Sequence, residues 1–276
     1  MTGILFIVAT PIGNLDDITF RAVEVLKSVD IVFAEDTRHS KKLLLHLDIS
    51  KPIRAFHDHN EREKTKAIIG EIHSGKSIAL ISDAGTPLIS DPGYFLVAQA
   101  KKEGLRVVPI PGPNALITAL SASGLASDSF TFLGFLPSKK TARIKLLKSL
   151  LNQTETCIFY ESPKRILGTL TDMHAIFGDS REVCLAKELT KAFETIQTDS
   201  IPNLITYLNI DQSHQKGEFV ILVSAIDKID ILEAEAQLDF LLPILCAEMG
   251  ASKAAKLAAK ITGIDKKICY KKAIDL

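Results

Sequence analysis

Short runs of apolar, largely β-branched residues alternate with stretches of helical periodicity through the first 110 residues. Four of these runs have the length of a strand and are bounded by Gly, Pro, Asp or Ser: residues 4–9, 31–34, 78–82 and 106–110. Their nearly continuous apolar character is typical of strands that are buried on both faces. Strands that alternate with crossover helices predict a parallel sheet covered by helices, so the first domain is expected to be α/β.

The segments between these strands predict helices. Apolar residues recur at helical spacing over 18–29, behind Asp16 and Asp17, and an acidic start suits a helix N-terminus. A second helix is predicted to begin at Asn60, with Glu63 in the capping-box position.

The sequence at 111–113 is Pro-Gly-Pro, which can continue neither a strand nor a helix. We therefore place a domain boundary there, with an N-terminal α/β domain over 1–112 and a second α/β domain over 113–227. From residue 228 onward strand signals are absent and frequent alanines favour helix, which predicts a small basic helical tail over 228–276.

The second domain is expected to begin with a helix over 114–123. An antiparallel pair of strands is expected around Thr190. The strands predicted in this domain lie near 130–134, 156–160, 182–187 and 218–224.

Composition excludes several classes of protein, among them membrane-spanning and disulfide-rich proteins. Hydrophobic residues make up 46% of the 276 residues and charged residues 24%, as in soluble globular proteins. Lys and Arg together number 33, as do Asp and Glu, so a nucleic acid would have to be met by a local basic patch. No basic segment precedes the N-terminal apolar run, no uncharged apolar stretch reaches ~20 residues, and the four cysteines show no metal-ligand spacing. We expect a cytoplasmic protein with reduced thiols, no membrane partner and no metal.

Three unusual loops follow predicted strands, at the edge where open α/β sheets bind ligands. Each loop combines Gly, which lets the backbone approach a ligand closely, with Pro, which fixes the local shape. This combination suits a ligand that is held largely by main-chain groups. None of the loops has the GxGxxG or GxxxxGK[ST] pattern, so neither a dinucleotide-binding fingerprint nor a P-loop is present. The loops cover residues 10–14, 83–93 and 111–115.

Six short motifs, in order along the chain, resemble the signature of the ribosomal RNA small-subunit methyltransferase I group, which belongs to the tetrapyrrole-methylase superfamily. The resemblance extends over residues 3–223, and residues 252–270 resemble the C-terminal extension of that group. The motifs are ATPIGNL at 9–15, AEDTR at 34–38, SDAGTP at 82–87, PGP at 111–113, GFLP at 134–137 and YESP at 160–163.

The resemblance implies two α/β domains of the tetrapyrrole-methylase type, with S-adenosylmethionine in the cleft between them, no metal and a homodimer. The activity that it implies is methylation of the ribose 2′-hydroxyl of one cytidine in 16S ribosomal RNA of the small ribosomal subunit. The residues that it assigns to cofactor binding are Pro11, Asp83, Ala84, Gly85, Ser90, Asp91, Ala115, Tyr160, Glu161, Ala186 and Gly217.

The acceptor hydroxyl must lose its proton, and a positioned carboxylate or a deprotonated lysine is the natural proton acceptor. Four candidates lie at or directly after the ends of predicted strands: Glu35, Asp36, Lys187 and Glu188. The same residues have an alternative role in ion pairs, Asp36 with Arg38 and Glu188 with Lys191. The sequence leaves the choice between these roles open.

The RNA is expected to meet local positive charge. Residues 137–148 carry five basic residues and no acid, and residues 250–276 carry seven lysines against two aspartates. Phosphate contact is one interpretation and a solvated helix face is the other. The residues expected to contact RNA are Arg38, Lys139, Lys140 and Arg143.

Two other functions remain open. The same fold and cofactor could serve a tetrapyrrole ring or a modified protein side chain as the methyl acceptor, because a fold alone does not determine the substrate. Alternatively, the chain could be a non-catalytic factor that associates with the ribosome and retains the cleft only as structure.

Overall fold

A computed structural model describes residues 2–226 and 228–276, and its first half contains a five-stranded parallel sheet. The strand order is β3-β2-β4-β1-β5. The four predicted strands are confirmed, whereas β3 was missed because it is a three-residue edge strand with Arg54 at its centre. The strands are β1 Ile4–Val8, β2 Ile31–Ala34, β3 Ile53–Ala55, β4 Ile78–Ile81 and β5 Arg106–Ile110.

Helices cover both faces of this sheet. Leu26 and Leu44 bury α1 and α2 against one face, and Ile68 and Leu96 bury α3 and α4 against the other. The helices are α1 Phe20–Ser28, α2 Thr37–His46, α3 Glu61–His73 and α4 Tyr94–Lys102.

The first helix begins later than predicted. Residues 15–17, which include Asp16 and Asp17, form a separate 3₁₀ turn. Thr19 is the N-cap of α1, because its hydroxyl oxygen accepts a hydrogen bond from the backbone N–H of Ala22 at 3.2 Å. A hydroxyl cap therefore determines this helix start, in place of the acidic pair.

The predicted capping box of Asn60 and Glu63 is wrong. The Asn60 side chain makes no bond to the helix and accepts instead from a backbone N–H of the preceding loop. The buried carboxylate of Glu61 accepts from the backbone N–H groups of Gly93 and Phe95, both at 2.9 Å. Glu61 thereby joins the start of α3 to the start of α4.

The second half contains a mixed five-stranded sheet of order β6-β7-β10-β8-β9. Strands β6 and β7 are parallel, and the other neighbours are antiparallel. The antiparallel pair predicted around Thr190 is confirmed by β8 and β9. The elements are α5 Ala115–Ala122, β6 Phe130–Phe135, α6 Lys140–Ser149, β7 Thr156–Glu161, α7 Ile166–Phe177, β8 Glu182–Lys187, β9 Thr195–Ser200, α8 Ile201–Ile210 and β10 Phe219–Val223.

Three helices follow the second sheet, as predicted for the tail: α9 Lys228–Met249, α10 Ala251–Thr262 and α11 Lys266–Ile274. They enclose a small apolar core of their own that includes Leu238, Ala254 and Cys269. Throughout the described part of the chain, no helix combines the length and the apolar character needed to cross a membrane. All four cysteines are free thiols.

Candidate active site

A cavity of about 490 Å³ lies between the two sheets, at the carboxyl ends of the strands of the first sheet and the facing strand ends of the second. The first sheet contributes the loops that follow β1, β2, β4 and β5. The second contributes the ends of β6 and β7, the loop after β8 and the start of β10, which antiparallel pairing brings to the same edge. The volume is in the range of ~300–1,000 Å³ that is usual for small-molecule sites.

The three predicted loops form one wall of this cavity and are bonded to one another. Thr10 and Gly85 exchange backbone hydrogen bonds of 2.9 and 3.0 Å, which join the loops after β1 and β4. The hydroxyl of Thr86 donates to the carbonyl oxygen of Pro113 at 3.1 Å, which joins the loops after β4 and β5. A wall that is already bonded together loses little conformational entropy when a ligand binds.

The loop after β4 holds its backbone in the left-handed region at several positions. Gly85 has φ +82°, Leu88 has φ +73° and Ser90 has φ +69°. Side chains other than Gly rarely adopt this region, and such strain is concentrated at ligand sites. A branched residue at position 85 would add strain of its own, so a substitution meant only to fill the cavity has to be made elsewhere.

The second wall of the cavity includes three aromatic residues of the second half: Phe135, Tyr160 and Phe219. The ring of Tyr160 makes edge contacts with Phe132 and Phe135, with centroids 4.9 and 5.6 Å apart. Burial raises the pKa of Tyr160 to about 12, so its hydroxyl remains protonated at neutral pH.

Glu161 stabilises this wall through hydrogen bonds of its buried carboxylate. Its fully buried carboxylate accepts hydrogen bonds from Thr169 at 2.7 Å and from Arg165 at 3.1 Å. The same guanidinium nitrogen of Arg165 donates to the carbonyl oxygen of Leu136. The Glu161 carboxylate therefore bonds residues of the second half, and through Arg165 it holds the turn after β6 in place.

The two halves approach closely at Gly13. A Cβ on this residue would lie 2.5 Å from Cγ of Lys191 and 2.8 Å from Oγ1 of Thr190. The backbone N–H of Asn14 donates to the same Thr190 oxygen at 3.0 Å. Glycine is needed at position 13 because the loop after β1 rests on the turn after β8.

Gly13→Ala should therefore push the halves apart. We expect the free energy of unfolding to fall by ~1–3 kcal/mol, the usual cost of overpacking, and cofactor affinity to fall with it. Gly70→Ala is the matched control, because a Cβ there meets nothing within 4 Å and residue 70 is inside α3. Denaturant unfolding should show Gly70→Ala gaining ~0.5–1 kcal/mol. Parental stability for Gly13→Ala would contradict the close approach.

Three carboxylates of the first half line the cavity: Glu35, Asp83 and Asp91. Burial, and then the neighbouring carboxylate of Glu35, raise the pKa of Asp91 to about 7. Burial, followed by the charge of Asp83, also raises the pKa of Glu35. Groups that are costly to ionise together favour a bound cation, which would relieve their repulsion.

Eight of the eleven predicted cofactor residues line the cavity: Asp83, Ala84, Gly85, Ser90, Asp91, Ala115, Tyr160 and Glu161. The other three lie beside it. Pro11 is buried next to Ile12, which does line the cavity. Ala186 is part of the apolar core shared by α5 and the second sheet, and Gly217 packs against the side chain of Glu188.

The ion pairs considered as alternatives for the proton acceptors are present. Asp36 is the N-cap of α2 and pairs with Arg38 at 2.8 Å. Glu188 pairs with Lys191 at 2.9 Å. Hydrogen bonds to Arg38 hold the pKa of Asp36 well below its usual range. Burial raises the pKa of Glu188, but hydrogen bonds outweigh burial and leave it lowered.

Lys187 is also engaged, since its ammonium donates to the carbonyl oxygen of Ser213 at 2.9 Å and the residue is 7% exposed. Asp36, Lys187 and Glu188 do not line the cavity, whereas Glu35 does. The geometry therefore favours Glu35 among the four candidates.

The residues expected to contact RNA differ in their exposure. The side chain of Arg38 is 89% exposed, that of Lys140 is 70% exposed, and Lys139 is exposed at the N-cap of α6. Arg143 is buried, and its guanidinium bonds Asp172 at 2.6 and 2.8 Å. Because Arg143 is buried as well as paired, it has a packing role. The basic surface consists of the other three, which are exposed, although Lys140 also lies 3.4 Å from Asp172 and Arg38 pairs with Asp36.

Several lining residues were not among those predicted. Eight of the twelve lie in the loops and motifs singled out in the sequence. Leu189 and 218–220 lie outside them, and 218–220 follow the predicted Gly217 and reach this edge through antiparallel pairing. The lining residues not predicted for the cofactor are Ile12, Glu35, Thr86, Ile89, Asn114, Phe135, Ser162, Pro163, Leu189, Glu218, Phe219 and Val220.

Comparisons with known families support one class of protein. A model described as Tetrapyrrole (Corrin/Porphyrin) Methylases matches residues 5–205. A second, described as RsmI C-terminal HTH domain, matches residues 233–276. The chain is 53% identical to "Ribosomal RNA small subunit methyltransferase I" of Vibrio cholerae, over 97% of this chain and 93% of that protein. It is 50% identical to the protein of the same name from Pseudomonas aeruginosa, over 99% and 97%.

Solved structures share the fold at low sequence identity. A diphthine synthase superposes with a TM-score of 0.61 at 15% identity, over 81% of this chain and 90% of that one. A cobalt precorrin-4 methyltransferase superposes with a TM-score of 0.60 at 17% identity, over 80% and 94%. These similarities confirm the predicted α/β class, and α9, α10 and α11 confirm the helical tail.

Proposed function

Because this chain belongs to the tetrapyrrole methylase family, we propose that it transfers a methyl group from S-adenosylmethionine to the ribose 2′-hydroxyl of a cytidine in 16S ribosomal RNA. The observation that carries the proposal is the cleft, which is lined by three carboxylates of the first half and by aromatic and apolar residues of the second half. The names of the Vibrio cholerae and Pseudomonas aeruginosa relatives support the small ribosomal subunit as the source of the acceptor.

The residues of the cleft fit this cofactor. Glu35, Asp83 and Asp91 provide negative charge for a sulfonium and an ammonium group, and Leu189 and Val220 provide apolar surface for an adenine ring. S-adenosylmethionine, when bound, supplies an electrophilic methyl group on a positively charged sulfur. The chain's task is then to align the acceptor oxygen with that methyl group and to exclude water.

Glu35 is the residue best placed to receive the proton of the acceptor hydroxyl. Its carboxylate lines the cavity, and burial raises its pKa toward the range in which a general base works well. With the cofactor bound, the ribose oxygen would take the methyl group from the sulfur, which would leave as a neutral thioether, and Glu35 would receive the hydroxyl proton. Asp36 caps α2 next to this position, whereas Lys187 and Glu188 hold together segments of the second half.

The basic surface favours RNA over the two other functions. Arg38 extends from the start of α2, directly after the loop that carries Glu35, and Lys139 and Lys140 follow the strand that ends at the cavity. Such exposed cations suit phosphates, whereas a tetrapyrrole acceptor needs no basic surface outside the cleft. A non-catalytic ribosome-associated factor would bind the subunit and transfer no methyl group.

The proposal is tested by mapping ribose methylation of 16S ribosomal RNA from cells with and without this protein. We expect one 2′-O-methyl cytidine to be lost with the protein. Purified protein and S-adenosylmethionine should restore it on small subunits from the cells that lack the protein. An unchanged methylation map would contradict the proposal, and binding of subunits without transfer would identify the non-catalytic factor.

Cofactor affinity should depend on pH through Asp91. Its pKa of about 7 in the free protein means that it is mostly protonated at pH 6 and ionised at pH 8. A sulfonium cation favours the ionised form, so binding should be about tenfold weaker at pH 6 than at pH 8. Calorimetry at the two pH values measures this, and Asp91→Asn should remove the difference. S-adenosylhomocysteine, which lacks the sulfonium charge, serves as the control ligand and should show a smaller dependence.

The division of the chain into residues 1–112, 113–227 and 228–276 also remains a proposal. It is supported by the end of β5 at Ile110 and by the packing of α5 on the second sheet. The homodimer implied by the resemblance is likewise proposed, and sedimentation of the full chain would test it.

A further inference from the structure

Strand β6 contains an irregularity beside the cavity. Phe132 pairs with Ile158 and Phe135 pairs with Tyr160, so three steps along β6 correspond to two steps along β7. Gly134, at φ +66°, is part of this bulge. An extra residue in a strand bends it and redirects the following side chain to the other face of the sheet.

The bulge determines where Phe135 lies. In regular alternation Phe135 would share the face of Leu133, which packs against the core of α6, α7 and α8. With the bulge it lies instead on the face of Tyr160 and lines the cavity. Phe135 is 56% exposed, so this large apolar residue is turned into the cleft and yet left uncovered.

The segment after Phe135 is held in place and leads to positive charge. Arg165, anchored by Glu161, donates to the carbonyl oxygen of Leu136. The exposed Lys139 and Lys140 begin α6 just beyond this turn, and Lys140 also lies 3.4 Å from the carboxylate of Asp172. One rigid segment therefore presents first an uncovered aromatic ring at the cavity and then two cations.

We propose that Phe135 is the platform on which the base of the target nucleotide stacks while its ribose enters the cleft, with Lys139 and Lys140 contacting the adjacent phosphates. This inference rests on the proposed function. A ribose can reach a cleft only if its nucleotide leaves the RNA stack, and an exposed ring replaces part of the stacking that the base then loses. Stacking on aromatic side chains and contact with lysines are the usual means of holding single-stranded RNA.

The test compares Phe135→Leu, which keeps an apolar side chain without the ring, with Phe135→Trp, which restores a ring. Small subunits from cells lacking this protein are the substrate, and KM for subunits, kcat and calorimetric cofactor affinity are measured for each variant. We expect Phe135→Leu to raise KM for subunits about tenfold and Phe135→Trp to remain close to the parent. Cofactor affinity should stay parental in both variants. Phe130→Leu, at the opposite end of β6, is the matched control and should leave KM unchanged.

The outcomes distinguish the stacking platform, a role of Phe135 in the cofactor pocket and a failure of the proposed function. Parental KM for Phe135→Leu would overturn the stacking platform, and so would a loss of cofactor affinity that accounts for the whole change, because the ring would then belong to the cofactor pocket. If the parent protein itself transfers no methyl group to subunits, the proposed function fails before Phe135 is tested.

Discussion

Glu35→Gln should slow methyl transfer by ~10²-fold or more, the usual contribution of a positioned acid-base group. The amide has the size of the carboxylate but cannot accept the proton of the ribose hydroxyl. The rate is measured in single turnovers at saturating cofactor, so that any weakening of cofactor binding caused by the lost charge does not enter the result. Stability should not suffer, because Glu35 repels the neighbouring carboxylates in the free protein.

Asp36→Asn is the matched control for this substitution. It changes the next residue in the same chemical way, and asparagine is as good an N-cap as aspartate, so α2 should remain intact. We expect a parental rate for Asp36→Asn. If Asp36→Asn transfers the methyl group slowly and Glu35→Gln does so at the parental rate, the base is the Asp36 carboxylate, which would leave its ion pair with Arg38 when RNA binds.

Ala115→Leu should weaken binding of S-adenosylmethionine by about 10- to 100-fold. Ala115 lines the cavity at the first position of α5, where the helical backbone accepts leucine without the strain expected at Gly85. The added carbons occupy cofactor space, and overpacking typically costs ~1–3 kcal/mol. Calorimetry measures the affinity, and thermal unfolding of the free protein tests whether the fold is kept.

Ala122→Leu makes the same change at the last position of α5, where the side chain is exposed and does not line the cavity. Its cofactor affinity should equal that of the parent. Equal affinities for both leucine variants would mean that the cofactor occupies another part of the cleft.

The sequence predicted the first wall of the cavity well because one rule governs it. The carboxyl ends of parallel strands meet at one edge, so the loops after β1, β4 and β5 had to lie together. Their Gly and Pro content could be recognised without knowing any side-chain direction. The edge strand β3 escaped prediction because three residues carry too little periodicity.

The second wall could not be predicted in the same way. The start of β10 reaches the cavity only because the strand runs antiparallel to its neighbours, and a single sequence does not specify strand direction. Nor did spacing reveal the bulge that turns Phe135 into the cleft. Glu35 and Asp36 are adjacent and chemically alike, and their roles are distinguished by the hydrogen bonds from Arg38 to Asp36 and by the position of Glu35 in the cavity lining.

The strand order of the first sheet also has a consequence for synthesis of the chain. β1 lies between β4 and β5, with Leu5 opposite Ile78 and Ile4 opposite Arg106, so its two partners are translated about 70 and about 100 residues after it. At ~5–20 residues per second, this apolar strand emerges and waits roughly 4–14 s for β4 and roughly 5–20 s for β5, and each edge stays unpaired until its partner is made. Non-local parallel pairing of this kind is slow and leaves hydrophobic surface exposed meanwhile. The nascent chain is therefore most vulnerable to aggregation before the residues of β5 leave the ribosome.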